Sequence, residues 1–278
     1  MTEKLVFGAV RRDATAESKK PLERLAAALS EHAEVAIDVF EAPSYEELAT
    51  TMHKGDVDFA WLPPIPFIAL ERRGTVLGLV SQHRGGRAEF HGVLLVQASS
   101  PIQKIEDLKG TRAAWVDPYS ASGYVVPRIE LDAVGIDPRT AFRAERFLRS
   151  HDAVVRAVMD SRADFGASYA GIDADGAIDR GAWLEIPRGK DTVRVLSILP
   201  PPIPGDVIAA RVDLPKRTRE TLTRGLVAVA RDRVHRVFVR DSFGSDDFRR
   251  WMPAGYDQLR AQTQLASEKG LLEGREHG

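Results

Sequence analysis

Several residue classes and patterns are missing from this sequence. It has no cysteine, which excludes disulfides, thiolate metal sites and cysteine nucleophiles. Neither sign of charge is in excess, because 39 Lys and Arg stand against 40 Asp and Glu, for a formal net charge of −1. That balance argues against binding to nucleic acid or to anionic membranes, which usually requires a basic excess. No apolar run approaches the ~18 residues of a membrane span. The remaining composition, 44% hydrophobic and 28% charged, is typical of a soluble globular protein.

The beginning of the chain bears on location. Residues 1–8 enter a strand pattern almost at once, with no charged-then-apolar signal segment before them. We expect a cytoplasmic protein if the chain as written is the full product, and a periplasmic one if a leader has been removed. The last few residues are expected to be loose.

Strand and helix patterns alternate along the chain. The alternation implies an α/β protein with largely parallel sheets and right-handed crossovers. Strands are predicted over residues 4–10, 35–40, 57–62, 76–81, 90–97, 111–116, 163–168, 193–199 and 207–211. Helices are predicted over residues 22–29, 45–54, 67–72, 125–131, 217–229 and 248–263, with a further helix beginning at Ser150-His-Asp152.

Two possible crossing points, near residues 83–90 and 193–204, predict two lobes. Lobe 1 would be discontinuous, with residues 1–87 and 200–278, and lobe 2 would contain residues 88–199. Ligands of such sheets bind beyond the carboxyl ends of strands, so we expect a ligand cleft between the lobes.

The stretch Asp117-Pro-Tyr-Ser-Ala-Ser-Gly-Tyr124 joins a strand pattern to a helix pattern. Serine is a favoured N-cap, and glycine lets the backbone approach a ligand closely. A helix start also presents unpaired N–H groups and a partial positive charge. Ser120, Ser122 and the amides around Gly123 are therefore candidates to hold an oxyanion. An ordinary capped helix is the alternative.

Four further residues lie at strand-to-helix junctions or crossing points, where they could line the same cleft. His151, at a predicted helix start, can donate a hydrogen bond to an anion, or can be an exposed loop residue. Tyr45 can instead be surface packing, Trp61 a core residue and Asp206 a turn aspartate. Their shared placement favours a single ligand site.

Four stretches carry a resemblance to the phosphonate- and phosphite-binding proteins of ABC transporters, a branch of the periplasmic solute-binding family. They run over roughly residues 4–260 in matching order and spacing. The first is Gly55-Asp-Val-Asp-Phe-Ala-Trp-Leu-Pro-Pro64, and the second is Asp107-Leu-Lys-Gly-Thr-Arg112 leading into Asp117-Pro-Tyr-Ser-Ala-Ser-Gly-Tyr-Val-Val-Pro-Arg128. The third is Ser150-His-Asp-Ala-Val-Val-Arg-Ala-Val158 with Ala163-Asp-Phe-Gly-Ala167, and the fourth is Pro202-Ile-Pro-Gly-Asp206. The resemblance implies a type II two-lobed periplasmic-binding-protein-like fold with a hinge of two crossing strands.

The resemblance also implies which residues contact the ligand. Ser120, Ser122 and His151 would hold the oxyanion, while the aromatic residues Tyr45 and Phe90 and the acidic Asp206 would complete the site. Three positions depart from the family pattern, one of them Pro63, which replaces the glycine common after the tryptophan. Ala121 replaces a hydroxyl residue, and Phe90 lacks the hydroxyl of the tyrosine usual there. A residue that could hold a ligand amine has no counterpart near Tyr169, which we expect to line the altered end of the pocket.

The main hypothesis is a solute-binding protein that closes over a small oxyanion, most simply phosphonate, phosphite or a phosphate-like anion. Its partner would be an ABC permease or a signalling protein, and we expect a monomer with no cofactor. The alternatives are a cytosolic enzyme of the same fold, with His151 and Asp206 as acid and base, and a soluble ligand sensor.

Overall fold

The structure, a computed structural model, describes residues 4–10 and 19–272. The predicted loose tail falls partly outside these residues. The chain divides into two compact units. Unit 1 contains the described residues up to Ala88 together with Gly205–Gly255, and unit 2 contains Glu89–Pro204 together with the described residues from Tyr256 onward. No helix in the described ranges is long and apolar enough to cross a membrane.

The elements follow the predicted alternation closely. The strands are β1 (Lys4–Val10), β2 (Ala36–Ala42), β3 (Phe59–Leu62), β4 (Val76–His83), β5 (Glu89–Gln97), β6 (Arg112–Trp115), β7 (Ala144–Phe147), β8 (Phe165–Ile172), β9 (Ile178–Gly181), β10 (Val193–Pro204), β11 (Val207–Arg211) and β12 (Asp247–Arg250). The α-helices are α1 (Lys19–Ala33), α2 (Tyr45–Lys54), α3 (Pro64–Arg72), α4 (Val126–Ala133), α5 (His151–Met159), α6 (Ala182–Glu185), α7 (Gly189–Thr192), α8 (Lys216–Arg231), α9 (Arg236–Phe243) and α10 (Asp257–Glu268). Single 3₁₀ turns cover Ile105–Leu108 and Pro253–Tyr256.

Unit 1 is built on a mixed sheet with the strand order β12-β4-β11-β3-β1-β2. Strands β1 to β4 run in one direction, and β11 and β12 run in the other. Its core joins the sheet to α1 and α8 through fully buried residues such as Phe7, Leu25 and Leu226. Phe7 and Phe59, opposite each other on β1 and β3, stack with ring centroids 4.6 Å apart.

Unit 2 has the strand order β10-β5-β8-β6-β7, with β9 paired to β8. Strand β6 is parallel to β7 and β8, whereas β5 is antiparallel to β8 and β10. Helix α5 packs on this sheet through Val154 and Val158, both fully buried. Because β6 and β8 are parallel, their carboxyl ends lie at the same edge of the sheet.

The C-terminal helix belongs to unit 2, whereas the predicted lobe 1 extends from residue 200 to residue 278. A contact between residues distant in sequence accounts for the difference. The fully buried Arg128 donates from Nε to the Leu271 carbonyl at 2.6 Å and from Nη1 to Glu145 Oε2 at 2.6 Å. Because a buried guanidinium is costly unless it is paired and hydrogen-bonded, the contacts of its Nε and Nη1 hold Leu271, just after α10, on unit 2.

The other boundary also differs, since unit 2 extends to Pro204 rather than to residue 199. Strand β10 pairs with β5 as far as Leu199, shifts register over the proline run and pairs again at Ile203, opposite Phe90. Prolines cannot donate to a sheet and are therefore confined to edge strands or bulges, and β10 is an edge strand.

The predicted helix over residues 248–263 is wrong in its first part. Residues Asp247–Arg250 form β12, antiparallel to β4 at the sheet edge, and α10 begins only at Asp257. Pro253 interrupts the helical pattern, and Phe248 is fully buried as a strand residue. The sequence pattern also missed β7, β9, α6, α7 and α9, which have eight residues or fewer.

Candidate functional site

The stretch after β6 forms a capped helix start. Ser120 precedes one π-helical turn, Ala121–Val125, which continues directly into α4. The Ser120 hydroxyl accepts a hydrogen bond from the Gly123 amide at 3.0 Å. As the first residues of a helix have no intrahelical acceptors for their N–H groups, the turn presents backbone donors at its start. This geometry suits an anion.

Gly123 is required by contacts inside the protein. A Cβ at this position would lie 2.4 Å from Val116 Cγ2 and 2.7 Å from Ser120 Oγ. The predicted reason for this glycine was close approach of the backbone to a ligand. The structure shows a close approach to Val116 and to the capping serine, which holds the turn against the end of β6.

The side chains at the start of the turn differ in what they offer. Ser122 is 3% exposed, and its hydroxyl makes no hydrogen bond to any described residue. Ala121, equally buried at 4% exposed, contributes only a methyl group. The Ser120 hydroxyl already accepts from Gly123 and keeps its own hydrogen to donate. Two hydroxyl donors therefore remain at this junction.

His151 lies at a second capped helix start in the same unit. The Ser150 hydroxyl accepts from the Ala153 amide at 3.1 Å, which places His151 first in α5. Its Nδ1 lies 3.1 Å from the Ser168 hydroxyl on β8, and its ring meets Tyr169 edge to face with centroids 5.0 Å apart. Burial lowers the pKa of His151 to about 4, so the imidazole is neutral near pH 7.

Gly92 connects the two junctions. It pairs with Tyr169 between β5 and β8, and a Cβ built on it would lie 3.6 Å from the Ser122 carbonyl oxygen. The start of the π-helical turn and the His151 cluster therefore lie at the same region of the sheet. Phe90, two residues earlier on β5, shares the face of Gly92 and is partly buried. Unit 2 thus brings together its sequence-predicted residues Ser120, Ala121, Ser122, Gly123, His151, Tyr169 and Phe90.

Unit 1 brings together Tyr45 and Trp61, the two aromatic residues predicted there. Their ring centroids are 6.4 Å apart, and Trp61 stacks on Phe243 at 5.5 Å. The buried indole Nε1 of Trp61 and the Ser242 hydroxyl have no hydrogen-bond partner among the described residues. Both residues line a cavity of about 30 Å³, large enough for a water-sized group. A group reaching it would be recognised through acceptor atoms.

Asp206 is also in unit 1, where it is already ion-paired. Arg84 Nη2 lies 2.8 Å from Asp206 Oδ2, and the same atom donates to Gln82 Oε1 at 2.8 Å and to the Phe243 carbonyl at 3.0 Å. Arg84 and Asp206 are both largely buried, with 21% and 10% of their side-chain surface exposed. One Asp206 oxygen is therefore committed to a guanidinium.

Several residues of these clusters were not predicted, and Ser168 and Arg84 are the two that contact predicted site residues by hydrogen bonds. Ser168 ends the predicted strand over residues 163–168, so its place at a strand end was an available signal. Arg84 contacts Asp206 across 122 residues of sequence, and no local pattern reports such a contact. The described ranges contain no group of three or more His, Asp or Glu side chains that could hold a metal ion. The cleft between the lobes, and closure over a ligand, stay predictions.

A protein-family model described as the ABC transporter, phosphonate, periplasmic substrate-binding protein matches residues 7–256. A curated relative, the phosphate-import protein PhnD of Mycolicibacterium smegmatis, is 23% identical over 189 residues. That match covers 64% of this chain and 59% of the relative, so the chain matches less than two thirds of the length of that protein. These relatives are binding proteins of transporters rather than enzymes.

Solved structures share the fold. XAC2383 from Xanthomonas citri, solved with chloride, superposes with a TM-score of 0.82 at 23% identity, covering 96% of this chain and 99% of that chain. PhnD1 from Prochlorococcus marinus, solved with methylphosphonate, has a TM-score of 0.76 at 19% identity, covering 95% and 98%. The predicted type II periplasmic-binding-protein fold is confirmed. Members of the matched family are periplasmic, which supports the periplasmic alternative and not the cytoplasmic one. The chain belongs to the family of periplasmic substrate-binding proteins of phosphonate ABC transporters.

Proposed function

We propose that this protein binds a small phosphorus oxyanion, phosphonate, phosphite or phosphate-like, as the substrate-binding component of an ABC importer. The observation that carries the proposal is the set of uncommitted donors in unit 2. The Ser122 hydroxyl has no partner among the described residues, and it lies on the same region of the sheet as the neutral His151. The family match and the relatives named for phosphate import and solved with methylphosphonate support the same ligand class.

Hydrogen bonds and helix starts would hold the anion in this site. Ser120, Ser122 and His151 are uncharged donors, and each lies at the start of a helical segment, where backbone N–H groups add a partial positive charge. A hydrogen bond to a charged group contributes about 1.5–3 kcal/mol. A few such bonds give selectivity for an oxyanion without the large desolvation cost of burying an ion pair.

Titration calorimetry with phosphite, methylphosphonate and phosphate tests this proposal. We expect at least one of the three to bind with a dissociation constant in the micromolar range or below, with sulfate as the control for a non-specific anion. Heat signals absent for all three phosphorus anions would refute the ligand class.

The Arg84–Asp206 pair supports a finer statement about the ligand. A carboxylate could hold a ligand ammonium group, but this one is already paired with a guanidinium. We therefore infer that the organic end of the ligand carries no amine. Wild-type protein should bind methylphosphonate more tightly than 2-aminoethylphosphonate, and Arg84→Gln should narrow that preference by freeing Asp206.

The matched control is Arg249→Gln, which removes an exposed arginine that pairs with Asp247 on β12. It should leave the preference unchanged. If wild-type protein binds 2-aminoethylphosphonate as tightly as methylphosphonate, Asp206 is available to a ligand and the inference is wrong. Thermal melting of both variants separates a change in preference from a loss of folded protein.

No observation favours the enzyme alternative. The Ser168–His151 contact has the atoms of a nucleophile and a base, but Ser168 is fully buried, with 0% exposed, and cannot reach a substrate. Asp206, the other expected acid–base group, is engaged by Arg84. The same proposal includes an ABC permease as the partner and a periplasmic location. It also includes a monomeric state, which light scattering after gel filtration tests.

A further inference from the structure

The Ser168 hydroxyl and the His151 imidazole form a hydrogen-bonded pair in unit 2. Ser168 lies on β8, the strand paired with both β5 and β6, and has 0% of its surface exposed. Its Oγ is 3.1 Å from His151 Nδ1, and the described residues offer this hydroxyl no other hydrogen-bond partner. A serine hydroxyl carries one hydrogen to donate. In this setting the hydrogen has one acceptor within reach.

The direction of this hydrogen bond determines where the imidazole proton lies. A neutral imidazole has one N–H donor and one acceptor nitrogen. If Nδ1 carried the proton and donated to Ser168, the serine hydrogen would be buried without an acceptor. Leaving a buried donor unsatisfied disfavours that arrangement by roughly 5- to 150-fold. If Ser168 donates to Nδ1, both groups are satisfied and the proton lies on Nε2.

The surroundings of the ring are consistent with this arrangement. His151 is the first residue of α5, whose start disfavours a positive imidazole. Tyr169, next to Ser168 on β8, contacts the ring edge to face and limits its rotation. Nothing charged is needed to keep the ring neutral, because burial lowers the pKa of His151. The tautomer of a neutral ring is then the property that decides what it can bind.

We propose that Ser168 is a positioning residue, which donates its hydroxyl hydrogen to His151 Nδ1 and thereby makes Nε2–H a fixed hydrogen-bond donor. Resting on the function proposed above, this assignment makes His151 selective for acceptor-only ligand groups, such as the deprotonated oxygens of a phosphorus oxyanion. A ligand atom that offers a hydrogen instead would meet another donor at Nε2. Ser168 thus contributes to the choice of oxyanion without touching the ligand.

The tautomer can be measured in the ligand-free protein. In protein labelled with ¹⁵N-histidine, two-bond ¹H–¹⁵N spectra near pH 7 distinguish a protonated Nε2 from a protonated Nδ1, with His151→Gln providing the assignment. We expect His151 in the Nε2–H form in the wild type and a mixture of both tautomers in Ser168→Ala. Ser168→Cys, which keeps a weaker donor, should be intermediate. Ser197→Ala, which removes a partly exposed serine hydroxyl on β10, is the control that should change nothing.

Calorimetry with methylphosphonate or phosphite then tests the consequence for binding. Ser168→Ala should bind about fivefold more weakly, as expected when a neighbouring hydrogen bond is lost, with partial recovery in Ser168→Cys. A wild-type ring protonated at Nδ1 overturns the proposal, and so does an unchanged tautomer in Ser168→Ala. A changed tautomer with unchanged affinity overturns the link to the ligand. If no phosphorus anion binds the wild type, the proposed function fails, while the spectra still decide whether Ser168 sets the tautomer.

Discussion

The predicted ligand residues of unit 1 and unit 2 differ in how far the protein already satisfies them. In unit 2, the Ser122 side chain is only 3% exposed and its hydroxyl makes no hydrogen bond to a described residue, and His151 uses only one of its two ring nitrogens in an assigned hydrogen bond. In unit 1, Asp206 is bound to Arg84, and Arg84 is also bound to the Gln82 side chain and the Phe243 carbonyl. The predicted ligand residues of unit 2 therefore still have hydrogen-bonding groups available to a ligand, whereas the carboxylate in unit 1 is already paired with an arginine.

The two units also use the same local device for different purposes. Ser44 caps α2 and Ser150 caps α5, each accepting from the amide three residues later at 3.1 Å. The residue that follows differs in its contacts, because Tyr45 packs beside Trp61 whereas His151 reaches Ser168. A capped helix start is thus not a ligand site by itself. The tertiary neighbours of its first residue decide what it offers.

The largest expected effect concerns His151 and stability in acid. Burial lowers the pKa of this residue to about 4 from the ordinary 6.5, so between these values the unfolded chain binds a proton that the folded protein does not. This contribution is absent above pH 6.5, and as pH falls towards 4 it lowers the free energy of unfolding by up to about 3 kcal/mol. Urea unfolding of ligand-free protein from pH 7.5 to 4.5 should show a shallower loss for His151→Gln than for the wild type.

His53→Gln serves as the control for this comparison, since it removes an exposed histidine from α2 in unit 1. Parallel pH profiles for the wild type and His151→Gln would show that the ring is not held neutral by burial, and the contrast between the two capped helices would then weaken.

A smaller effect is expected when the turn after β6 is crowded. In Gly123→Ala the added methyl would lie 2.4 Å from Val116 Cγ2, and overpacking of this kind costs about 1–3 kcal/mol. We expect a lower melting temperature together with weaker anion binding, because the turn that presents Ser122 must shift.

Gly92→Ala is the matched control in the same unit, since its added methyl would meet neighbours only at 3.5 Å or beyond, an ordinary contact distance. Equal melting temperatures for Gly123→Ala and the wild type would contradict the close packing of the turn. Differential scanning calorimetry of both variants provides the measurement.

The smallest expected effect is that of Ser122→Ala, which tests directly whether this part of unit 2 binds the oxyanion. Ser122→Ala removes a hydroxyl that no described residue uses, so stability should change little, while affinity for the oxyanion should fall at least about tenfold. Ser44→Ala in unit 1 should do the opposite, costing about 1 kcal/mol of stability through the lost cap and leaving affinity unchanged. Unchanged affinity in Ser122→Ala, measured by calorimetry, would remove this junction from the ligand site.

The sequence predicted those elements whose signals are local. Helix α2 has the predicted bounds and its serine cap, and α5 begins after the predicted Ser150. The predicted helix start after β6 is also present, although its first turn is a π-helical turn that no residue pattern announces. Where a stretch depends on distant partners, the pattern misled. Residues 247–250 resemble a helix but pair as β12 with β4, far away in the sequence.

The same limit applies to the candidate site. Ser120, Ser122, Gly123 and His151 could be selected as candidates because helix starts and strand ends leave a local pattern of serine, glycine and histidine. Ser168 was not selected although it ends the predicted strand over residues 163–168, because its role depends on His151, which α5 places 3.1 Å from its hydroxyl only in the folded chain. Arg84 was not found because its contact with Asp206 forms only when β4 and β11 pair.

The sequence by itself determined the alternation of strands and helices, the caps, and the family to which the chain belongs, because periodicity, capping and short motifs are properties of neighbouring residues. The tertiary structure alone decided that Asp206 forms an ion pair with Arg84 and that the imidazole of His151 has Ser168 as its partner. It also decided that the C-terminal helix lies on unit 2, where Arg128 contacts Leu271. These outcomes depend on which groups lose water together when distant segments pack. Burial, and the hydrogen bonds that it makes necessary, exist only in the folded chain.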